Sequence, residues 1–215
     1  MRRALERARL PLFTGRTRIL ALAGGVVLAG FGISSMLWAD LGIGPYDLLI
    51  DGVASQLGVT FGVSSVLLSA AIALLGWRLG GPVGPATFVL VIGLGPVIDL
   101  WGWLYPAVPD VLPVRILALV GGLVLAAYGI STVIASRFGA GPVEVLMLAL
   151  TSWGWSVGWV RTAMEVVMFA TGWALGGAIG FGTVFIAVAI GHLFATFLPA
   201  ETRGDVAAAE ASSPS

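Results

Sequence analysis

Apolar side chains run almost without interruption over residues 19–38, and similar runs return at 63–79, 84–104, 114–136, 157–175 and 180–198. Each reaches or approaches the ~20 residues a helix needs to cross hydrocarbon. The pattern predicts six membrane-spanning helices. The first run is too long for the h-region of a signal peptide and is read as part of the membrane core. After it comes Gly42-Ile43-Gly44-Pro45-Tyr46-Asp47. Gly costs about 1 kcal/mol and Pro about 3 kcal/mol in a helix interior, so this stretch breaks the helix. Pro45 then suits the first position of a new helix, where its missing N–H is no loss. From Pro45 to about Leu57, Tyr46, Leu49, Ile50, Val53 and Leu57 form one apolar stripe, with Asp47, Asp51 and Ser55 opposite. At ~1.5 Å per residue this helix reaches roughly 20 Å, short of the ~30 Å core. It is expected to be a half-helix or an interfacial helix.

The same device returns as Gly139-Ala140-Gly141-Pro142-Val143-Glu144, and a second short helix is expected to about Ser152. Glycine permits positive φ and close chain approach. Gly44 and Gly141 are therefore expected to occupy positions a larger residue fits poorly, with Gly52→Ala mild by comparison.

The recurrence extends through the chain. Leu20-Ala21-Leu22-Ala23-Gly24-Gly25 matches Leu117-Ala118-Leu119-Val120-Gly121-Gly122, and Gly32-Ile33-Ser34 matches Gly129-Ile130-Ser131. After a one-residue slip, Gly76-Trp77-Arg78-Leu79-Gly80-Gly81 matches Gly172-Trp173-Ala174-Leu175-Gly176-Gly177, and Gly84, Thr87 and Gly95 match Gly180, Thr183 and Gly191. The chain thus divides into a basic arm (1–18), a first membrane unit (19–105), a proline-rich linker (106–113), a second unit (114–198) and a polar tail expected to be disordered (199–215). Three spans per unit is an odd number, so the second unit enters the bilayer inverted.

Charge agrees with this layout. Arg2, Arg3, Arg7, Arg9, Arg16 and Arg18 precede the first span. With the N-terminus inside, Arg78, Arg137, Arg161 and Arg203 join them on the cytoplasmic side, as the positive-inside rule asks, and only Arg115 falls outside. If the short helices also spanned, giving eight crossings, Arg78 and Arg137 would move outside. Both termini are therefore expected in the cytoplasm of a bacterium. Composition fits a polytopic membrane protein: 58% hydrophobic and 10% charged, with a mean hydropathy of +1.02. There is no Cys, which excludes disulfides, thiolate metal sites and Cys nucleophiles. The basic arm is too short, and too near a span, to point to nucleic acid.

The Gly-x-Gly-Pro-Tyr-Asp-Leu-Leu stretch, Gly180-Phe181-Gly182-Thr183 and the doubled unit resemble the YczE/YitT-type bacterial membrane proteins, over about Ile19 to Phe197. The resemblance implies architecture more than chemistry. The two halves have diverged at the ends of their third spans, where Pro96 and Asp99 of the first become His192 and Ala195 of the second.

Small residues four apart (Gly76, Gly80, Gly84; Gly172, Gly176, Gly180; Ala21, Gly25, Ala29; Ala118, Gly122, Ala126) are expected to pack helices closely, with a homodimer through one such face as the alternative. Asp47 and Glu144 sit in the first turns of the short helices, where a carboxylate meets free N–H groups and the positive dipole end. With Asp51, one turn past Asp47, they alternatively line a polar site. Arg161 and Glu165, one turn apart in the fifth span, replace Ser65 and Ser69 of the first unit. Charges in spans are costly and usually face a protein interior or cavity, so the pair is either a structural ion pair or part of a substrate or proton site. Asp99 is expected to pair with an arginine or face water, and His192 to make a helix–helix hydrogen bond. Ser34, Ser35, Ser131 and Thr132 read as packing groups. No metal-ligand spacing, Walker loop or hydrolase triad occurs, so neither an enzyme nor a cofactor is expected. The reading that results is a secondary transporter of a small solute or ion at the repeat interface. A membrane scaffold without transport, its core closed and its charges paired, is the alternative.

Overall fold

The computed structural model describes residues 15–107 and 111–197. Most of the expected arm, part of the linker and the tail lie outside the described residues. Within them the fold is all-helical and contains no strand. The helices are α1 (Thr17–Ala39), α2 (Pro45–Leu57), α3 (Phe61–Arg78), α4 (Pro85–Leu104), α5 (Leu112–Ala135), α6 (Pro142–Thr151), α7 (Val157–Ala174) and α8 (Phe181–Phe197). By length and composition α1, α3, α4 and α5 are able to cross a bilayer. α7 is diluted by Arg161 and Glu165, and α8 has 17 residues.

Local chemistry explains the starts. Pro45, Pro85 and Pro142 open α2, α4 and α6 behind extended Gly44, Gly84 and Gly141; a residue before proline avoids the helical region. Thr60 and Ser156 cap α3 and α7 by accepting the N–H of Val63 and Trp159.

The conformational need for glycine in the breaks lies two residues earlier than expected. Gly44 is extended at φ −67, and a Cβ there would meet Asp47 and Ile186 at an ordinary 3.5 Å. Gly141 is extended as well, at φ −70, but a Cβ there would collide with the Glu144 carboxylate, so a larger residue requires that side chain to move. Gly42 and Gly139 are the ones at positive φ, +110 and +126. A Cβ on Gly42 would also lie 2.7 Å from the Gly180 nitrogen, and one on Gly139 would lie 2.9 Å from the Gly84 Cα. Gly52 is not a mild site either: its Cβ would lie 2.6 Å from the Gly172 carbonyl oxygen.

α1 and α5 form the centre and run antiparallel. Their small residues meet directly, so that a Cβ on Gly25 would lie 2.7 Å from the Gly129 oxygen and one on Gly122 2.6 Å from the Gly32 oxygen. These small-residue faces are used for packing inside one chain. Both ends of the pair are tied by an arginine. Arg18 donates from Nε to the Ser136 carbonyl and from its terminal nitrogen to the Arg137 carbonyl, each at 2.8 Å. Arg115 donates from Nε to the Ala39 carbonyl at 2.7 Å, and also to the Asp40 carbonyl.

The short helices pack across the bundle, α2 on α7 and α6 on α3. Glycine makes room for both. A Cβ on Gly172 would lie 2.6 Å from the Leu49 nitrogen, and one on Gly76 2.7 Å from the Leu146 nitrogen. α4 flanks α1, and α8 flanks α5. One contact has no counterpart: α3 and α4 pack together, whereas α7 and α8 make no comparable contact among the described residues. On the packed side the Asp99 carboxylate accepts the Gly62 N–H at 2.8 Å and the Thr60 hydroxyl at 2.5 Å, rather than an arginine. His192 bonds within its own helix, its Nδ1 lying 3.1 Å from the Val188 carbonyl oxygen. The expected helix–helix bond is absent at that nitrogen because the side chain is exposed.

Candidate functional site

A cavity of about 230 Å³ lies between the two halves, where the first turns of α2 and α6 converge. α2 contributes Tyr46, Asp47 and Ile50; α6 contributes Val143, Glu144 and Met147. α2 packs on α7 and α6 on α3, and both first turns border the same space. Gly44, Pro45, Gly141 and Pro142 line the same space, so the breaks themselves form part of the wall.

Four of the five sequence-predicted charged residues meet here: Asp47, Glu144, Arg161 and Glu165. Asp51 does not. Its carboxylate accepts the Ala178 N–H at 2.8 Å and so fastens α2 to the turn between α7 and α8. Asp47 is half-buried and lines the cavity. Neither Asp47 nor Glu144 has a hydrogen-bond or ion-pair partner among the described residues. Each sits in a first turn, where the helix dipole favours a negative charge.

Arg161 and Glu165 form the expected i,i+4 pair, with Nε 3.1 Å from Oε1, and both side chains are about half exposed, at 52% and 48%. Together with Met164 and Met168 they place one face of α7 on the cavity. No α8 contact comparable to that of α4 on α3 covers α7 among the described residues. On α3 the equivalent Ser65 and Ser69 are buried and also line the wall. Ser69 is 2.7 Å from the Tyr46 hydroxyl, and Tyr46 is within electrostatic reach of both Asp47 and Glu144.

Two features escaped the sequence pattern. Tyr46 was legible only as a member of an apolar stripe, yet it turns its hydroxyl to the wall of the cavity. The methionines carried no signal at all. Met36, Met147, Met164 and Met168 all line the cavity, and the chain's remaining methionine is Met1. Among the described residues no group of three His, Asp or Glu is placed to hold a metal ion.

The matched region of one family model covers residues 16–199, and its description is "Family of unknown function (DUF6198)". The chain belongs to the DUF6198 family. This DUF6198 chain is 32% identical over 180 residues to an "Uncharacterized membrane protein YczE" of Bacillus subtilis (strain 168), covering 81% of this chain and 82% of that protein. It is 29% identical to an "Uncharacterized protein" of Haemophilus influenzae, over 80% of this chain and 78% of the relative. It is 26% identical to the "Uncharacterized protein YyaS" of Bacillus subtilis, over 83% and 91%. No solved structure matches. The YczE-type resemblance of the sequence is thereby established. With its apolar helices, it makes this DUF6198 chain a multi-pass integral membrane protein.

Proposed function

We propose that this chain is a secondary transporter of the bacterial cell membrane, moving a small solute or ion through the cavity between two inverted three-span repeats. The observation that carries the reading is the pair of unpartnered carboxylates, Asp47 and Glu144, brought into one cavity by the two short helices. A non-transporting scaffold needs no such cavity and would pair those charges, because an unpaired charge in a bundle is costly. Broken helices lining a site between inverted repeats are a common transporter plan.

The arrangement has six spans with both termini cytoplasmic. Two geometric features support it. The antiparallel α1 and α5 are tied by arginines at equivalent positions, Arg18 and Arg115, each reaching two carbonyls at the end of the other helix. The chain also enters and leaves α2 near one end of the bundle. Trp38 donates to the Pro106 carbonyl there, and Thr60 meets Asp99 near the same end. A helix that returns to its own side adds no crossing. Arg115, the one arginine outside, is held in place by its two carbonyl contacts.

The absence of cysteine allows a test that needs no known substrate. Ser65→Cys and Met147→Cys are introduced singly and challenged with a membrane-impermeant thiol reagent from each side of oriented vesicles, with Ala107→Cys as the outside reference. Alternating access requires cavity labelling from both sides. Labelling from one side only, or from neither, would return the chain to the scaffold reading.

A further inference from the structure

From the chemistry of the cavity wall we infer that its ligand is a small apolar monocation, an amine or quaternary ammonium carrying a hydrocarbon body. This rests on the transporter reading for its setting, but concerns binding alone. Charge comes first. Three carboxylates and one guanidinium line the cavity, leaving two formal negative charges. Each helix N-terminus carries about half a positive charge, and those of α2 and α6 bring the balance to about one negative charge. That matches a monovalent cation better than an anion or a divalent ion.

The two innermost carboxylates are free to meet it. Asp47 and Glu144 have no protein partner among the described residues, while Glu165 already holds Arg161 at 3.1 Å. Asp47 is half-buried in the cavity wall, so a cation there is partly shielded from solvent. Tyr46, within electrostatic reach of both carboxylates and in the cavity wall, adds an aromatic ring of the kind that attracts ammonium groups.

The rest of the wall is aliphatic, with residues such as Ile33, Leu94 and Ile98, together with all four internal methionines. Thioethers are polarisable and unbranched, and they mould to irregular apolar shapes. A strongly hydrated inorganic cation gains nothing from such a wall. The volume, about 230 Å³, is slightly below the ~300–1,000 Å³ usual for ligand pockets, which limits the ligand to a compact molecule.

The test is equilibrium binding to the purified full chain in a non-ionic detergent, by calorimetry. Benzyltrimethylammonium is the probe, with phenylacetate and benzyl alcohol as anionic and neutral controls. Saturable binding of the cation alone is expected. It should weaken about tenfold or more in Glu144→Gln and in Asp47→Asn, as for loss of one desolvated charge. Should either variant fail to fold, protection replaces it: the cation, and not phenylacetate, slows alkylation of Ser65→Cys. No saturable cation binding, or equal binding of phenylacetate, overturns the inference. The two readings fail separately. Labelling from both sides without cation binding removes the ligand class and leaves transport standing. Cation binding with access from one side does the reverse.

Discussion

Asp99 accepts the main-chain N–H of Gly62 at 2.8 Å, and this fastens the last third of α4 to the first turn of α3. The Thr60 hydroxyl donates to its other oxygen. The second half has Gly158 and Ala195 at the matching positions, and a Cβ on Gly158 would meet nothing within 4 Å, whereas one on Gly62 would collide with Gly95 and Asp99. The α3–α4 contact thus carries a carboxylate tie that the α7–α8 side lacks among the described residues. Removing a charged acceptor costs about 1.5–3 kcal/mol. Asp99→Ala should lower the melting temperature in non-ionic detergent, and Asp99→Asn, which keeps an acceptor, should lower it less. Equal melting of both variants and the wild type would mean that the bond does not hold α3 to α4.

The glycines of the breaks separate by conformation. Gly42→Ala must place a side chain at φ +110 and against the Gly180 nitrogen. Strain of this kind costs about 1–3 kcal/mol before the clash is counted. Gly44→Ala enters an extended position with ordinary contacts, and a change of ~0.5 kcal/mol or less is expected. Folded yield and thermal melting by size-exclusion chromatography would compare the two. A Gly44→Ala variant as damaged as Gly42→Ala would contradict the assignment.

The two arginine ties are independent. They sit at opposite ends of α1, and its 23 residues at ~1.5 Å each hold them more than 30 Å apart. Arg18→Gln and Arg115→Gln should each destabilise. The double variant should equal their sum within about 0.5 kcal/mol, as distant sites without shared partners do. Urea or heat titration of the single and double variants measures this. A large departure from additivity would mean that α1 and α5 shift as one body when either tie is lost.

Much of this was legible because it is local or periodic. Apolar run lengths gave the helices to within a few residues, and Gly-Pro placed the starts of α2 and α6. The offset relating Gly42 to Gly139 also relates Arg18 to Arg115, so the paired ties had a signal that the repeat reading did not use. Other features depend on contacts that no spacing encodes. Asp51 is drawn off the site by the Ala178 N–H, 127 residues away. In Gly-x-Gly-Pro either glycine is free to take positive φ, and the chain packing against Gly180 or Gly84 selects the first. The four cavity methionines come from α1, α6 and α7, so only the fold brings them together.

Arg161 and Glu165 offer a prediction that uses the fold against itself. The equivalent face of α3 carries Ser65 and Ser69, and in the same architecture those serines are buried against neighbouring helices. The pair on α7 is therefore not needed for the helix to form. It is a half-exposed i,i+4 pair, and such a pair contributes about 0.3–0.5 kcal/mol in water. Breaking it asymmetrically is different, because it leaves one charge in a cavity wall shared with Asp47, Glu144 and apolar methionines. Arg161→Ala should destabilise more than the double change Arg161→Ser with Glu165→Ser, which copies α3. The coupling between the two sites should be positive in a double-mutant cycle read by thermal melting. Cation binding by the double variant then separates the roles. If Asp47 and Glu144 hold the ligand, affinity changes only a few-fold; if it falls as far as in Glu144→Gln, Glu165 belongs to the binding site itself.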